Sequence, residues 1–384
     1  MARTTSTTKS ASAILLYSGS EHGADQMYFS GFRVGDPFIS FGWRGKRHGV
    51  LSALEFGRAR KESSLDQVLS LEDWTATAKT QLKIEQAGPA EVIATLARHF
   101  KIPAFRVAAD FPLGLATKLQ KLRVRVEPVE GELFPQREVK TPAEARAIAE
   151  GNRCSAIGFA AAEALLRRAT ISAGRLMLER RPLTSERLRE EIEVACLRAG
   201  AVSLDTIAAG GDQACDPHCV GHGPLRAHEL IIIDIFPRVV ATGYHGDMTR
   251  TFLKGSPSDA QKKLVAAVRS AHAGAIQAVR AGIDGRTVHD GVVEHFKQLG
   301  YETRRGPKGA EGFFHGTGHG LGLEVHEGPS LGRRVSKLKP GAVVTVEPGL
   351  YYPGLGGCRI EDVVQVTAGA AKMLSDHHYR WVIR

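Results

Sequence analysis

The sequence predicts a mixed α/β (α+β) chain in two parts: a small α/β domain, then a larger one in which a helix–helix–strands order occurs twice. Three observations predict it. The length, 384 residues, is too great for one ordinary hydrophobic core and comfortable for two. Up to about residue 130, short β-rich runs alternate with helical stretches. Beyond a linker at Phe134-Pro135-Gln136-Arg137, strong helix starts are each followed by a second helix and then by apolar strands. The boundary this implies is 1–136 and 137–384.

In the first part, Ala13–Tyr17, Val50–Leu54, Phe105–Ala109 and Val124–Val129 read as strands. Ala90–Phe100 and Leu113–Leu122 read as helices, with Pro89 and Pro112 near their starts. The residues before Ala13 read as a frayed tail. The only apolar run near them, Ala13–Tyr17, is too short for a signal peptide, which points to the cytoplasm.

In the second part, Thr141 is a candidate N-cap, Pro142 takes the first helical position and Glu144 completes a capping box, opening a helix to about Ala169. A second helix spans about Ser185–Ala199 and stops at Gly200. Strands follow at Leu230–Ile235 and Val239–Thr242. Ser258 and Gln261 then form another capping box for a helix to about Ala281. A shorter helix covers about Thr287–Leu299, and strands follow at Ala342–Glu347 and Ile360–Thr367. Two halves of this kind can face each other across a cleft.

Composition excludes several classes. No apolar run approaches the roughly 18 residues that span a bilayer. The net charge is +10, but acidic residues are interleaved with the basic ones and no Lys/Arg block carries aromatics, so nucleic acid is not an expected partner. Five irregularly spaced cysteines read as free thiols.

The chemistry lies where carboxylates end apolar strands. Asp234 closes Leu230-Ile231-Ile232-Ile233-Asp234, Glu347 closes Val343-Val344-Thr345-Val346-Glu347, and Glu361 sits in Ile360-Glu361-Asp362-Val363. A buried carboxylate needs a cation or a proton. Three of them, with Asp247 in Gly246-Asp247-Met248, call for metal. His319, within His315-Gly316-Thr317-Gly318-His319-Gly320, is the best histidine ligand, and glycines there let backbone pass close to a crowded centre. Four carboxylates and one imidazole suit two adjacent divalent ions. Hard ligands favour manganese, with cobalt, iron(II) or zinc as other occupants. The glycines do not open a helix, so they are no dinucleotide loop. His326-Glu327 lacks the second histidine of a zinc-protease helix, because position 330 is Ser330.

With these residues in place, HGTGHGLGLEVHEGP, Asp234, Asp247, Glu347 and the GGCRIED run around Glu361 resemble the M24, or pita-bread, metallopeptidases. REVKTPAEARAI resembles the start of their catalytic domain. The first part resembles the creatinase-type domain found ahead of it in prolidases and aminopeptidases P. The resemblance implies Asp234, Asp247, His319, Glu347 and Glu361 as ligands of two divalent ions. It implies a catalytic proton shuttle at Glu347 and carbonyl-stabilising roles for His218 and His326. It also implies a proline pocket with His315 and Arg359, although Arg359 would serve equally well to neutralise carboxylates. Glu327 and Asp362 are left as ligand-orienting partners or surface charges. Cys215, Cys219 and Cys358 read as packing residues, and His222 and His245 carry no role.

The implied reaction is metal-dependent hydrolysis ahead of proline on a peptide substrate, by a cytoplasmic enzyme. Homodimers are common in the family, so the resemblance implies one here. Rival readings are a methionine-type aminopeptidase, opposed by Arg359 and the first domain, and a non-catalytic binding protein or metal-free hydrolase, opposed by the complete ligand set. There are two departures. Where the family has glycine two residues after the first aspartate, this chain has Phe236, and the loop to Asp247 is slightly long.

Overall fold

The computed structural model describes residues 13–21, 23–307 and 309–384. The frayed tail expected before Ala13 lies outside them. The chain divides into two compact units, the first ending at Pro135 and the second spanning Gln136–Arg384.

The first unit is built on a six-stranded sheet in the order Gln67–Ser70, Lys46–Leu51, Phe38–Trp43, Ala13–Ser18, Phe105–Val107, Val126–Pro128. Ala13–Ser18, Phe38–Trp43 and Lys46–Leu51 are antiparallel neighbours, and the outer pairings are parallel. Helix Pro89–Phe100 lays Val92, Ile93 and Leu96 on Ile39, Phe41 and Phe105 of the sheet. The strand expected at Val50–Leu54 is instead Lys46–Leu51. It stops because Ser52 takes the extended N-cap conformation and starts helix Ala53–Glu62, which leaves Leu54 exposed.

His48 is buried in this unit, stacked on Phe41 at 4.4 Å. Burial lowers its pKa, against weaker opposing backbone interactions. The folded state therefore binds fewer protons than the unfolded one. Stability is full above the unfolded value of about 6.5 and declines as pH falls through it. Taking the protein from about pH 7.5 to about pH 5.5 is thus expected to lower the melting temperature of this unit. In His48→Phe, which keeps the stack, the drop should be smaller; equal drops would show that His48 charges without cost.

The second unit has two halves. In the first, helices Pro142–Arg168 and Ser185–Arg198 cover a sheet ordered Ile207–Gly210, Ile231–Ile235, Met248–Lys254, Val382–Ile383. Both bonds of the Thr141/Glu144 capping box are present. In the second half, helices Asp259–Ala278 and Gly285–Gln298 cover a sheet ordered Glu327–Leu331, Gly318–Gly320, Val343–Val346, Asp362–Gln365, Lys372–Met373. A hairpin, Gly349–Tyr352 with Gly356–Arg359, runs beside them. Among the described residues no helix is long and apolar enough to cross a membrane.

Strand alternation places the functional side chains. Ile231, Ile233 and Ile235 join Phe159, Leu188 and Ile192 in the first half's core. Ile232 turns to the other face, against Ile207, Ala209 and Tyr351, and Asp234 shares its parity. In the second half Val344 and Val346 pack with Leu264, Val268 and Val292 under the helices. Val343 faces away toward Ile148, Leu321 and Val363, and Thr345 shares its parity. The polar faces of the two sheets are joined directly: the Glu361 N–H donates to Thr249 O at 3.0 Å, and Arg359 reaches Asp234.

Candidate metal centre and its cavity

A cavity of about 920 Å³ in the second unit is lined by Asp234, Asp247, His319, Glu347 and Glu361, and also by His218, His315, His326 and Arg359. All nine residues singled out in the sequence thus meet at one place.

Asp234 lies on Ile231–Ile235, paired across the sheet with Ile207 and Thr249. Its Oδ2 accepts from Arg359 Nη2 at 2.8 Å, while Oδ1 is buried with no hydrogen-bond partner. Asp247 enters just before Met248–Lys254, and its N–H donates to Asn152 Oδ1 at 2.8 Å. That contact needs helix Pro142–Arg168 pressed against the loop, and Gly151 and Gly246 permit it, since a Cβ on either would overlap the other's backbone. Gly318 plays the same part beside Thr345 O, which lets His319 sit in the adjoining strand position.

The tautomer of His319 is fixed by its surroundings. Nδ1 lies 3.1 Å from Gly320 O, an atom that only accepts, so the proton resides on Nδ1. Nε2 then presents a lone pair toward Asp247 Oδ2 at 3.7 Å and Glu347 Oε1 at 3.5 Å. Burial first, and His326 next, lower its pKa to about 3, so the ring is neutral and ligand-ready. Glu361 is held by Thr249 Oγ1, which donates to Oε2 at 2.7 Å.

The charges test whether cations fit. Asp247 is pushed well up by burial and then by Glu361, Asp234 and Glu347. Glu361 is pushed up by burial and then by Glu347 and Asp234. Glu347 rises to about 8, mainly by burial, with Arg359 opposing. Four carboxylates thus crowd one neutral imidazole and one guanidinium, and one carboxylate oxygen is orphaned. Donor atoms of Asp247, His319 and Glu361 lie within 4.8 Å of one another. This oxygen-rich set fits divalent cations, which would remove the repulsion and occupy the orphaned oxygen.

Arg359 and His315 are more tightly engaged than the sequence suggests. Arg359 donates from Nε to Thr249 Oγ1, from Nη1 to Pro217 O and Tyr351 Oη, and from Nη2 to Asp234. Tyr351 Oη in turn donates to His315 Nε2 at 2.8 Å, because His315 Nδ1–H is spent on Gly316 O at 2.7 Å. Burial and the Arg359 charge lower the His315 pKa to about 3. Tyr351 thus links Arg359 and His315, which line the cavity, and Arg359 holds Asp234 in place. His326 stacks edge-on against His319, with centroids 4.2 Å apart, while His218 is exposed at the rim.

The residues around the centre have their own supports. Glu327 accepts from Arg137 and Lys140, fixing the stretch after His326. Asp362 is fully buried and bound by Arg250, Ser375 and Tyr379. Cys215 packs beside Tyr351, and Cys358 is buried. His222 lines a different cavity, and His245 is half-buried, its pKa lowered to about 4 by burial.

Sequence reasoning missed Asn152, Thr249 and Tyr351. Thr249 carried a signal: it follows Asp247 by two in a strand and so lies on the same face. Asn152 and Tyr351 carried none, since their partners lie far away in the chain.

The chain matches the model of metallopeptidase family M24 over residues 146–368. It is 35% identical over 175 residues to the Xaa-Pro dipeptidase of Pyrococcus furiosus, covering 45% of this chain and 47% of that one. The match thus spans about half the length of that curated relative. Its structure is similar to the X-Pro aminopeptidase of Thermotoga maritima, with a TM-score of 0.80 at 24% identity over 97% of each chain. It is also similar to the Xaa-Pro dipeptidase of Bacillus anthracis, with a TM-score of 0.81 at 23% identity over 97% of this chain and 95% of that one. At these identities the likeness shows the fold.

Proposed function

Since this chain belongs to metallopeptidase family M24, we propose that it is a metal-dependent exopeptidase that hydrolyses the bond ahead of proline, as an Xaa-Pro aminopeptidase or dipeptidase. The observation that carries the reading is the convergence of Asp234, Asp247, His319, Glu347 and Glu361 on one cavity, with Asp234 Oδ1 unpartnered and His319 Nε2 free to coordinate. The names of similar proteins support the proline preference.

These five residues would hold two divalent ions, manganese in our reading. Bound there, such ions supply Lewis acidity toward the scissile carbonyl and acidify a water. The chain's own side chains do the rest. Glu347 carries the proton from that water to the proline nitrogen as the C–N bond breaks. His326 and His218 donate to the carbonyl oxygen as it gains charge. Arg359 acts by holding Asp234, and Arg359 and His315, linked through Tyr351, shape with Phe314 the space for a ring rather than for a backbone donor. Phe236 lines the same cavity and narrows it where the family resemblance leads one to expect glycine. A homodimer accompanies this reading from the family resemblance, and a cytoplasmic location is part of the same proposal.

The test uses metal-stripped protein, with and without manganese, on an Xaa-Pro dipeptide and a longer Xaa-Pro-Xaa peptide, with Asp247→Ala as control. Metal-dependent cleavage ahead of proline, lost in the variant, is the expected outcome, and the preferred length separates dipeptidase from aminopeptidase. Two bound ions with both peptides left intact would overturn the substrate assignment.

A further inference from the structure

A second cluster of ligand-type side chains lies outside the cavity. Glu163, buried on helix Pro142–Arg168, is approached by two consecutive histidines from the segment that leads into the last strand. His377 Nε2 is 3.1 Å and His378 Nε2 2.9 Å from the same oxygen, Glu163 Oε1. The ligand atoms of the three residues lie within 4.8 Å of one another. Nothing in the peptidase reading uses them.

We propose that Glu163, His377 and His378 form a further metal site, for one borderline divalent transition ion such as zinc. Two imidazoles and a carboxylate suit zinc, nickel or cobalt better than calcium or magnesium. The three side chains are already oriented. His377 is stacked on Phe159, at 5.1 Å, and on His378, at 4.4 Å. The other Glu163 oxygen accepts from Arg167 Nη2 at 2.8 Å, an outer partner of the kind that orients a metal-binding carboxylate. Burial and the Arg250 charge lower the His377 pKa, which favours the neutral ring that coordinates. His378 is about a third exposed, leaving a path for the ion and room for a water as fourth ligand. One bond must yield. His378 Nδ1 accepts from the Arg380 N–H at 3.2 Å, and a coordinating Nε2 requires the proton on Nδ1. That N–H is exposed and passes to water.

The ion would tie together residues 214 apart in sequence. It would also fix a segment that backs the catalytic face: His377 O and His378 O both accept from Arg250, which donates to Glu361 O. The site is a clamp on the final segment, and it does not depend on the peptidase reading.

The experiment is equilibrium dialysis of the whole chain against zinc with metal counted per chain, in the wild type and in His378→Ala. It is repeated on the Asp247→Asn background, so that weakened catalytic binding does not mask the result. In both backgrounds the histidine variant should hold about one zinc fewer. Zinc should also slow amide exchange across residues 374–384 in the wild type and not in the variant. His378→Gln and Glu163→Gln serve if His378→Ala does not fold. Equal zinc counts with and without the histidine would overturn the proposal and leave the trio sharing only protons.

Discussion

Asp247→Asn is expected to change the sign of its effect on stability with metal. In metal-free protein the substitution should stabilise the second unit by roughly 2 kcal/mol, because it removes one of several buried like charges without changing shape. Asp247 is 3% exposed, and Glu361, Asp234 and Glu347 all push against its ionised form. Its N–H bond to Asn152 belongs to the backbone and survives. With excess manganese the order should reverse. The wild type gains the free energy of ion binding, about 2.7 kcal/mol at a hundredfold excess over Kd, and the variant gains less. Peptide cleavage in the variant should fall about a thousandfold, equivalent to about 4 kcal/mol of barrier. Thermal unfolding of both proteins with and without metal reads the reversal. A variant destabilised equally in both conditions would mean that the carboxylates are held by protons and hydrogen bonds, and the metal-centre reading would fall with it.

Arg250→Met should be the most destabilising single change outside the cavity lining. Arg250 is 2% exposed and lies 4.6 Å from the Tyr379 ring centre. It donates to Glu361 O at 2.6 Å, Asp362 Oδ1 at 2.9 Å, His377 O at 2.9 Å and His378 O at 3.3 Å. Burial alone would raise the Asp362 pKa, but Arg250 and then His272 outweigh it and hold the carboxyl well below the usual range. Methionine keeps the stem and strands that charge, at a cost of about 3–5 kcal/mol. For a unit of this size the loss corresponds to a fall of roughly 10 °C in melting temperature. Adding Asp362→Asn should cost much less than it does alone, since the pair is already broken. A strictly additive double-mutant cycle would show that the two groups do not interact. Activity should fall too, because Glu361 loses the anchor on its carbonyl.

The residues proposed as metal ligands are legible in the sequence because their chemistry contradicts their neighbours. A carboxylate ending Leu230–Ile233, or one after Val343–Val346, stands out against an apolar run by composition alone. Capping boxes make the long helices equally plain at Thr141 and Ser258, and both are formed. Strand ends are legible only where a cap is weighed. The run at Val50–Leu54 looks continuous until Ser52 is read as a helix start, and Val239–Thr242 shortens to Arg238–Val239 before the chain turns. Helix Leu71–Leu82 leaves little trace in the sequence, because its apolar residues are few and Ser70, its cap, also ends a strand. The supports of the site are hidden for a different reason. Asn152, Tyr351 and Arg250 act through bonds to residues 95, 36 and 112 positions away, and no local pattern encodes such distances.

The pairing of Asp234 with Thr249 has a consequence for how this region tolerates insertions and deletions. The two strands fix Asp234 by cross-strand register, while the connecting stretch from Phe236 to Gly246 carries its own short strand, Arg238–Val239, paired with Ala201–Val202, and ends where Gly246 meets Gly151. Length changes confined to the turn at residues 240–242 leave these contacts, and with them Asp234 and Asp247, where they are. Gain or loss of one residue inside Ile231–Ile235 would instead rotate every later side chain to the opposite face, sending Asp234 among the leucines and isoleucines beneath the helices. That turn can therefore change length without moving either aspartate, while the strand admits substitution but no change of length.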